Sequence, residues 1–223
     1  MILYQEFLTE IRSYAEPEYA AFHKRLIKND NVIVLGVRVP QLRKLARKYD
    51  DSVDELLSFP DEYYEVTFIK LAAVSYLKWE KFLNYVDRCV LLIDNWATCD
   101  CFIPKCISKH RDEFLPYLYA FFAEKKEFYQ RFALTTLLHF YVEEKYLHTI
   151  CDFVREADTE FYYVHMAAAW LIAEVLVKFY GDGVKFLKLN EFDIKTRNKA
   201  IQKACESYRL TAEQKTYLKG LKR

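Results

Sequence analysis

FYQRFALTTLLHFYVEEKYLHTICDFVREADTEFYYVHMAAAWLIAE, residues 128–174, contains neither glycine nor proline. Its apolar residues recur every three or four positions rather than every two, so the spacing predicts helices over 127–141, 143–156 and 160–179. Connections this short force consecutive helices to lie antiparallel, side by side. Each helix keeps an apolar stripe that one pair alone cannot bury, so the pairs must stack.

The same pattern continues on both sides. Periodicity and breakers predict helices over 2–14, 18–28, 40–49, 51–58, 62–75, 77–93, 96–108, 110–122, 194–207 and 211–222. Caps support several starts: Asp94 or Asn95 before Trp96, Asp193 before Ile194, and Thr211 with Gln214 as a capping box. Only four glycines and five prolines punctuate 223 residues that are 52% apolar, which excludes a disordered chain and disfavours strands. A helix–turn–helix unit recurs at roughly 35–40 residues, the period of HEAT-like arrays. The expected fold is an all-α, HEAT-like or ARM-type α-α superhelix, a solenoid of antiparallel helix pairs, with 1–223 as a single domain.

MILYQEFLTEIRSYAEPEY, residues 1–19, carries acids early and no continuous apolar core, so it is not read as a secretion signal. No apolar run approaches the roughly 18 residues of a membrane span. Six cysteines in such a chain read as reduced thiols, and the expected location is the cytoplasm, with the nucleoid of a bacterial cell. The C-x-C-x4-C run of Cys99, Cys101 and Cys106 lacks paired zinc-ligand spacing, so neither metal nor cofactor is expected.

The net charge of +1 is unevenly spread. Arg38, Arg43, Lys44, Arg47 and Lys48 have no acid among them, and the last four fall on one face of a helix beginning near Pro40. Residues 178–223 hold twelve Lys or Arg against five Asp or Glu, including Lys195, Arg197, Lys199 and Lys203. Either stripe fits a solvated helix face or a nucleic-acid backbone.

No phosphate loop, HExxH or G-x-S-x-G motif occurs. What remains is polar and aromatic residues in apolar helices. Trp96 and Asp100, four apart, share a face and suit a cationic aromatic ligand, or else a core indole beside a helix-bound carboxylate. Arg131 has apolar neighbours that imply burial, hence a carboxylate or phosphate partner or a structural ion pair. Trp170 follows three alanines that permit close approach, or simply close packing.

The segments LGVRVPQLRKLARKY (35–49), DNWATCD (94–100), FYQRFALTTL (128–137), FYYVHMAAAWLIAE (161–174) and RNKAIQKACESY (197–208) together resemble the DNA alkylation repair glycosylases of the AlkD type. That resemblance implies a HEAT-like solenoid whose concave cleft binds double-stranded alkylated DNA as a monomer. It implies excision of cationic N3- or N7-alkylated purines, with Asp100 catalytic and Trp96, Arg131 and Trp170 around it. The chain departs from the family's most active members at Met166 and Ala173, where they carry a lysine and an arginine, at Leu26, where they carry a tyrosine, and at Asn95, where a second tryptophan is common. The alternatives are a weakly active or inactive paralogue that binds damaged or branched DNA, and a HEAT-like protein-interaction scaffold.

Overall fold

Short connections cut the chain into helices. The computed structural model describes residues 3–27, 29, 31–189 and 191–223. Among these, fifteen α-helices form and no strand does; one lone bridge pairs Ile33 with Tyr63. The fold class is all-α. The expected helix start at Ile2 and helix end at Lys28 lie outside the described residues. The chain divides into two compact units, residues 1–110 and 111–223.

The first unit contains α1 (Tyr4–Arg12), α2 (Pro17–Ile27), α3 (Val39–Lys48), α4 (Val53–Ser58), α5 (Tyr64–Val74), α6 (Trp79–Leu83), α7 (Val86–Leu91) and α8 (Trp96–Cys101). α3, α5 and α8 form a row, and α4 and α7 pack on α5. Surrounded in this way, α5 is buried at every residue. Each of its large apolar side chains contributes about 1.5–3 kcal/mol by leaving water, while its two charged residues need partners because an unpaired buried charge is far more costly. Lys70 Nζ donates to the Phe59 carbonyl at 2.5 Å and to Asp61 at 2.7 Å. Glu65 accepts the amides of Leu35, Gly36 and Val37 at 3.0, 2.8 and 3.3 Å. Aiming three successive amides at one carboxylate requires a φ of +93° at Gly36, where a Cβ would stand 2.3 Å from the Glu16 carbonyl oxygen. Only glycine fits there. The basic helix α3 starts directly after this turn.

Two expected helices of this unit are shorter than the spacing predicts. The stretch 77–93 is two helices, separated at Asn84 and Tyr85. The helix expected over 96–108 ends at Cys101 and resumes as a 3-10 turn over Lys105–Lys109. Pro104 accounts for the break, since its ring excludes the preceding residue, Ile103, from helical backbone angles.

The second unit contains α9 (Arg111–Ala123), α10 (Glu127–Phe140), α11 (Leu147–Arg155), α12 (Tyr162–Lys178), α13 (Tyr180–Leu189), α14 (Ile194–Glu206) and α15 (Ala212–Gly220). α10, α12 and α14 form its row; α9 packs on α10, α11 and α13 on α12, and α15 on α14. A repeat of helix pairs produces this order of row and flank. Ala167, Ala168 and Ala169 are buried where α12 meets its neighbours. Asp193 caps α14 by accepting from Thr196 at 3.0 Å, and Thr211 with Gln214 forms the expected capping box on α15. No helix is expected between 179 and 194, yet α13 occupies that stretch despite Gly181 and Gly183. Gly183 is there for packing: a Cβ on it would meet the Leu176 Cα at 2.9 Å.

Candidate functional site

Asn95 caps α8. Its Oδ1 accepts the Ala97 and Thr98 amides at 2.9 and 3.0 Å, satisfying two donors that a helix start leaves without partners. Its Nδ2 donates to Asp94 at 2.7 Å, and Asn29, just past α2, donates to the Asp94 carbonyl at 3.1 Å. The indole Nε1 of Trp96 donates to the carbonyl of Leu26, in the last turn of α2, at 2.9 Å. α8 is thereby fastened to the end of α2. Trp96 is half-buried with its polar edge tied down, and Asp100 stands half-buried one turn later.

Cys99 and Cys101 are buried, and burial pushes the Cys101 thiol well up, so it stays protonated. Among the described residues no group of three His, Cys, Asp or Glu could hold a metal ion, and no helix is long and apolar enough to cross a membrane.

The basic stripe on and before α3 meets acids in three dimensions that its local sequence lacks. Arg38 forks onto Glu16 at 2.7 and 3.1 Å and lies 4.3 Å from the Tyr19 ring. Lys48 pairs with Glu10 at 2.6 Å, and Arg47 sits 3.7 Å from Asp50. Exposed pairs of this kind are worth about 0–1 kcal/mol and exchange readily. Arg43 and Lys44 are exposed and pair with no acid among the described residues. Arg43 is close enough to α8 for its charge to oppose the burial effect on Cys101.

In the second unit, one turn of α10 holds the start of α12. Glu127 accepts the Tyr163 amide at 3.1 Å, Gln130 accepts the Asp158 amide at 2.9 Å, and Arg131 donates to the Tyr163 carbonyl at 2.8 Å. Arg131 is only 1% exposed, its guanidinium 5.4 Å from the Trp170 ring and 5.7 Å from that of Tyr163. Arg131 is thus enclosed, with one of its donors on a backbone carbonyl and two rings beside it. Trp170 is half-buried and lines a cavity of about 260 Å³ with Ala173, Glu174, Lys203 and Arg209. Arg209 grips Glu174 with a fork at 2.7 and 3.1 Å, and Lys203 pairs with Glu206 at 2.9 Å.

The other basic residues of α14 divide. Lys195 is exposed and Lys199 half-buried, with Lys199 donating to Gln202 at 3.3 Å. Arg197 is 3% exposed and donates to the carbonyls of Leu187 and Leu221 at 2.7 and 2.8 Å, so this cation joins helix ends rather than facing solvent. Its position three and four residues before Ala200 and Ile201, both buried, is the signal that it lies on the apolar face. Of the departures, Leu26 is exposed, Met166 half-buried and Ala173 buried.

Trp96 and Asp100 thus belong to the first unit, Arg131 and Trp170 to the second, and all four stand on the row helices of their own unit. Sequence reasoning missed Glu65 with its three amides, the Asn29–Asp94 link, and Arg209. Nothing in the local sequence marks Arg209 as a neighbour of Trp170. The sequence model described as DNA alkylation repair enzyme matches residues 7–205. No curated protein sequence matches the chain.

Proposed function

The chain belongs to the DNA alkylation repair enzyme family, and on that premise we propose that it is a DNA glycosylase releasing cationic N3- or N7-alkylated purines from duplex DNA. An alkylated purine already carries the positive charge of a good leaving group. When the glycosidic bond breaks, its electron pair leaves with the base and neutralises it, and positive charge builds on the deoxyribose. The group needed is a fixed carboxylate beside the sugar, aided by electron-rich rings. Asp100 takes that role, and it orients the water that adds to the sugar carbon and gives up its proton. Trp96, and Trp170 from the second unit, offer ring faces to sugar and backbone. Arg131 acts through Trp170 as a positioning residue, in keeping with its burial against that ring.

The observation that carries this reading is the Trp96–Asp100 pair: an indole and a carboxylate one turn apart, both half-exposed, on a helix anchored at its first residue. The experiment is incubation of purified protein with duplex DNA containing 7-methylguanine. Free base is expected to appear, and Asp100→Asn to cut its release by about 10²–10³-fold; no release at protein in excess over DNA overturns the proposal. A second reading, binding of damaged or branched DNA without excision, is favoured by the ion pairs that occupy Arg209 and Lys203 beside Trp170. In that case binding weakens with salt and survives Asp100→Asn unchanged.

A further inference from the structure

A cavity of about 500 Å³ opens in the first unit where the end of α3, the α5–α6 connection and the 3-10 turn of residues 105–109 meet. Arg47, Lys78, Lys105 and Lys109 line it against a single acid, Glu80. The three lysines are exposed, and among the described residues none of them pairs with an acid. Tyr76, Trp79 and His110 add aromatic groups to the wall. The rings of Trp79 and His110 stack at 4.4 Å and 2°, and the Arg47 guanidinium lies 3.4 Å from the centre of the Tyr76 ring.

Three lysines against one acid are not explained by the fold. A basic residue in the last turn of a helix offsets the partial charge of its carbonyls, which accounts for Arg47 at the end of α3. It does not account for Lys78, Lys105 and Lys109, which lie outside the long helices. Like charges gathered around one cavity repel, and more so where protein replaces solvent. An anion that touched several of these lysines at once would turn that repulsion into attraction. The cavity is too wide for one small anion and open enough for a run of chain, and its flat rings suit sugar edges.

We propose that this cavity is a docking point for the phosphodiester backbone of duplex DNA, separate from Trp96 and Asp100, since none of its lining residues is on α8. It rests on the reading of this chain as a DNA-binding protein and adds a grip outside the reacting pair.

The test is filter binding of an unmodified radiolabelled duplex across a salt series. It compares the wild type with one variant carrying Lys78→Gln, Lys105→Gln and Lys109→Gln. The slope of log affinity against log salt is expected to fall by about 0.9 for each lysine that meets a phosphate, with affinity at low salt down roughly tenfold or more. Arginine at the same three positions restores the slope. A wild type that binds and a triple variant with unchanged slope and affinity overturn this inference alone. A wild type that does not bind duplex at any salt overturns it together with the DNA-binding reading. If inorganic phosphate displaces the duplex no better than chloride of equal ionic strength, the backbone assignment stands. Displacement by phosphate with no slope change in the variant assigns the cavity to a free anion and overturns it.

Discussion

Trp96 and Asp100, in the first unit, stand on a helix of six residues; Arg131 and Trp170, in the second, stand on helices of fourteen and seventeen. The short helix gains little from its own hydrogen-bond ladder and is fixed from outside, by Asn95, by Asn29 through Asp94, and by the Leu26 carbonyl. The long helices are fixed by packing, and their arginine is sealed between them. The first arrangement leaves its charge partly in solvent, where it can meet a substrate. The second turns a charge inward, beside the ring of Trp170. On the proposed reading the first pair serves the chemistry and the second supports it.

Asp100→Asn probes the first half of this contrast and has the largest expected effect. Release of 7-methylguanine should fall about 10²–10³-fold, equivalent to about 2.7–4 kcal/mol of barrier, with duplex affinity unchanged. A variant that instead loses stability would make Asp100 a structural group and erase the contrast. Arg131→Met probes the second half. It keeps an apolar stem and leaves the Tyr163 carbonyl without this donor, so unfolding should become easier by about 2–3 kcal/mol. Thermal denaturation checks this at about 2–4 °C per kcal/mol for a chain of this size. A variant that melts normally and loses only salt-dependent binding would return Arg131 to the phosphate role. Asn95→Ala removes the cap of α8, expected to cost about 1–2 kcal/mol in the same assay. Base release should fall by more than that stability change implies, because Trp96 and Asp100 lose their anchor.

The smallest effect concerns acid. Burial lowers the pKa of His23 in the first unit and of His165 in the second. The unfolded chain then binds protons that the folded one resists, so stability is full above the unfolded value of about 6.5 and is lost as pH falls through the lowered folded values. Among the described residues the Nδ1 of His23 has no hydrogen-bond partner, whereas that of His165 meets Thr196 at 2.9 Å. His23→Leu should therefore reduce the loss of stability between pH 7 and pH 5, by less than about 1 kcal/mol. Denaturant titrations at the two pH values measure it. An unchanged difference would place the acid sensitivity elsewhere.

Helix type and order were legible because the apolar spacing is strong and breakers are few. Two of the misses share a cause: glycine and proline mean different things in different surroundings. Gly183 reads as an interruption and proves to be a contact surface for Leu176, while Pro104 ends a helix that periodicity alone would continue. The candidate residues were legible by type and spacing, and their division between two units was not, since it depends on long-range packing. Arg197 could have been read correctly from its spacing to Ala200 and Ile201. For Arg131 periodicity implies the burial that is found but does not name Tyr163, whose carbonyl takes one of its donors. Glu65 was beyond reach, as its three donors come from about thirty residues away through a turn that one glycine permits.

The three indoles have a use beyond the pocket and the pair they belong to. Trp79 is packed flat against His110 and Trp96 is tied to a carbonyl, both in the first unit, whereas Trp170, beside a guanidinium, is the one tryptophan of the second. Ultraviolet emission is thus distributed unevenly by construction. Replacing Trp79 and Trp96 with phenylalanine leaves a single indole that, excited at wavelengths tyrosine does not absorb, reports on the second unit, and replacing Trp170 leaves the first unit to report on itself. The same chain carries its own pair of optical channels, through which the melting of each unit can be watched without a label.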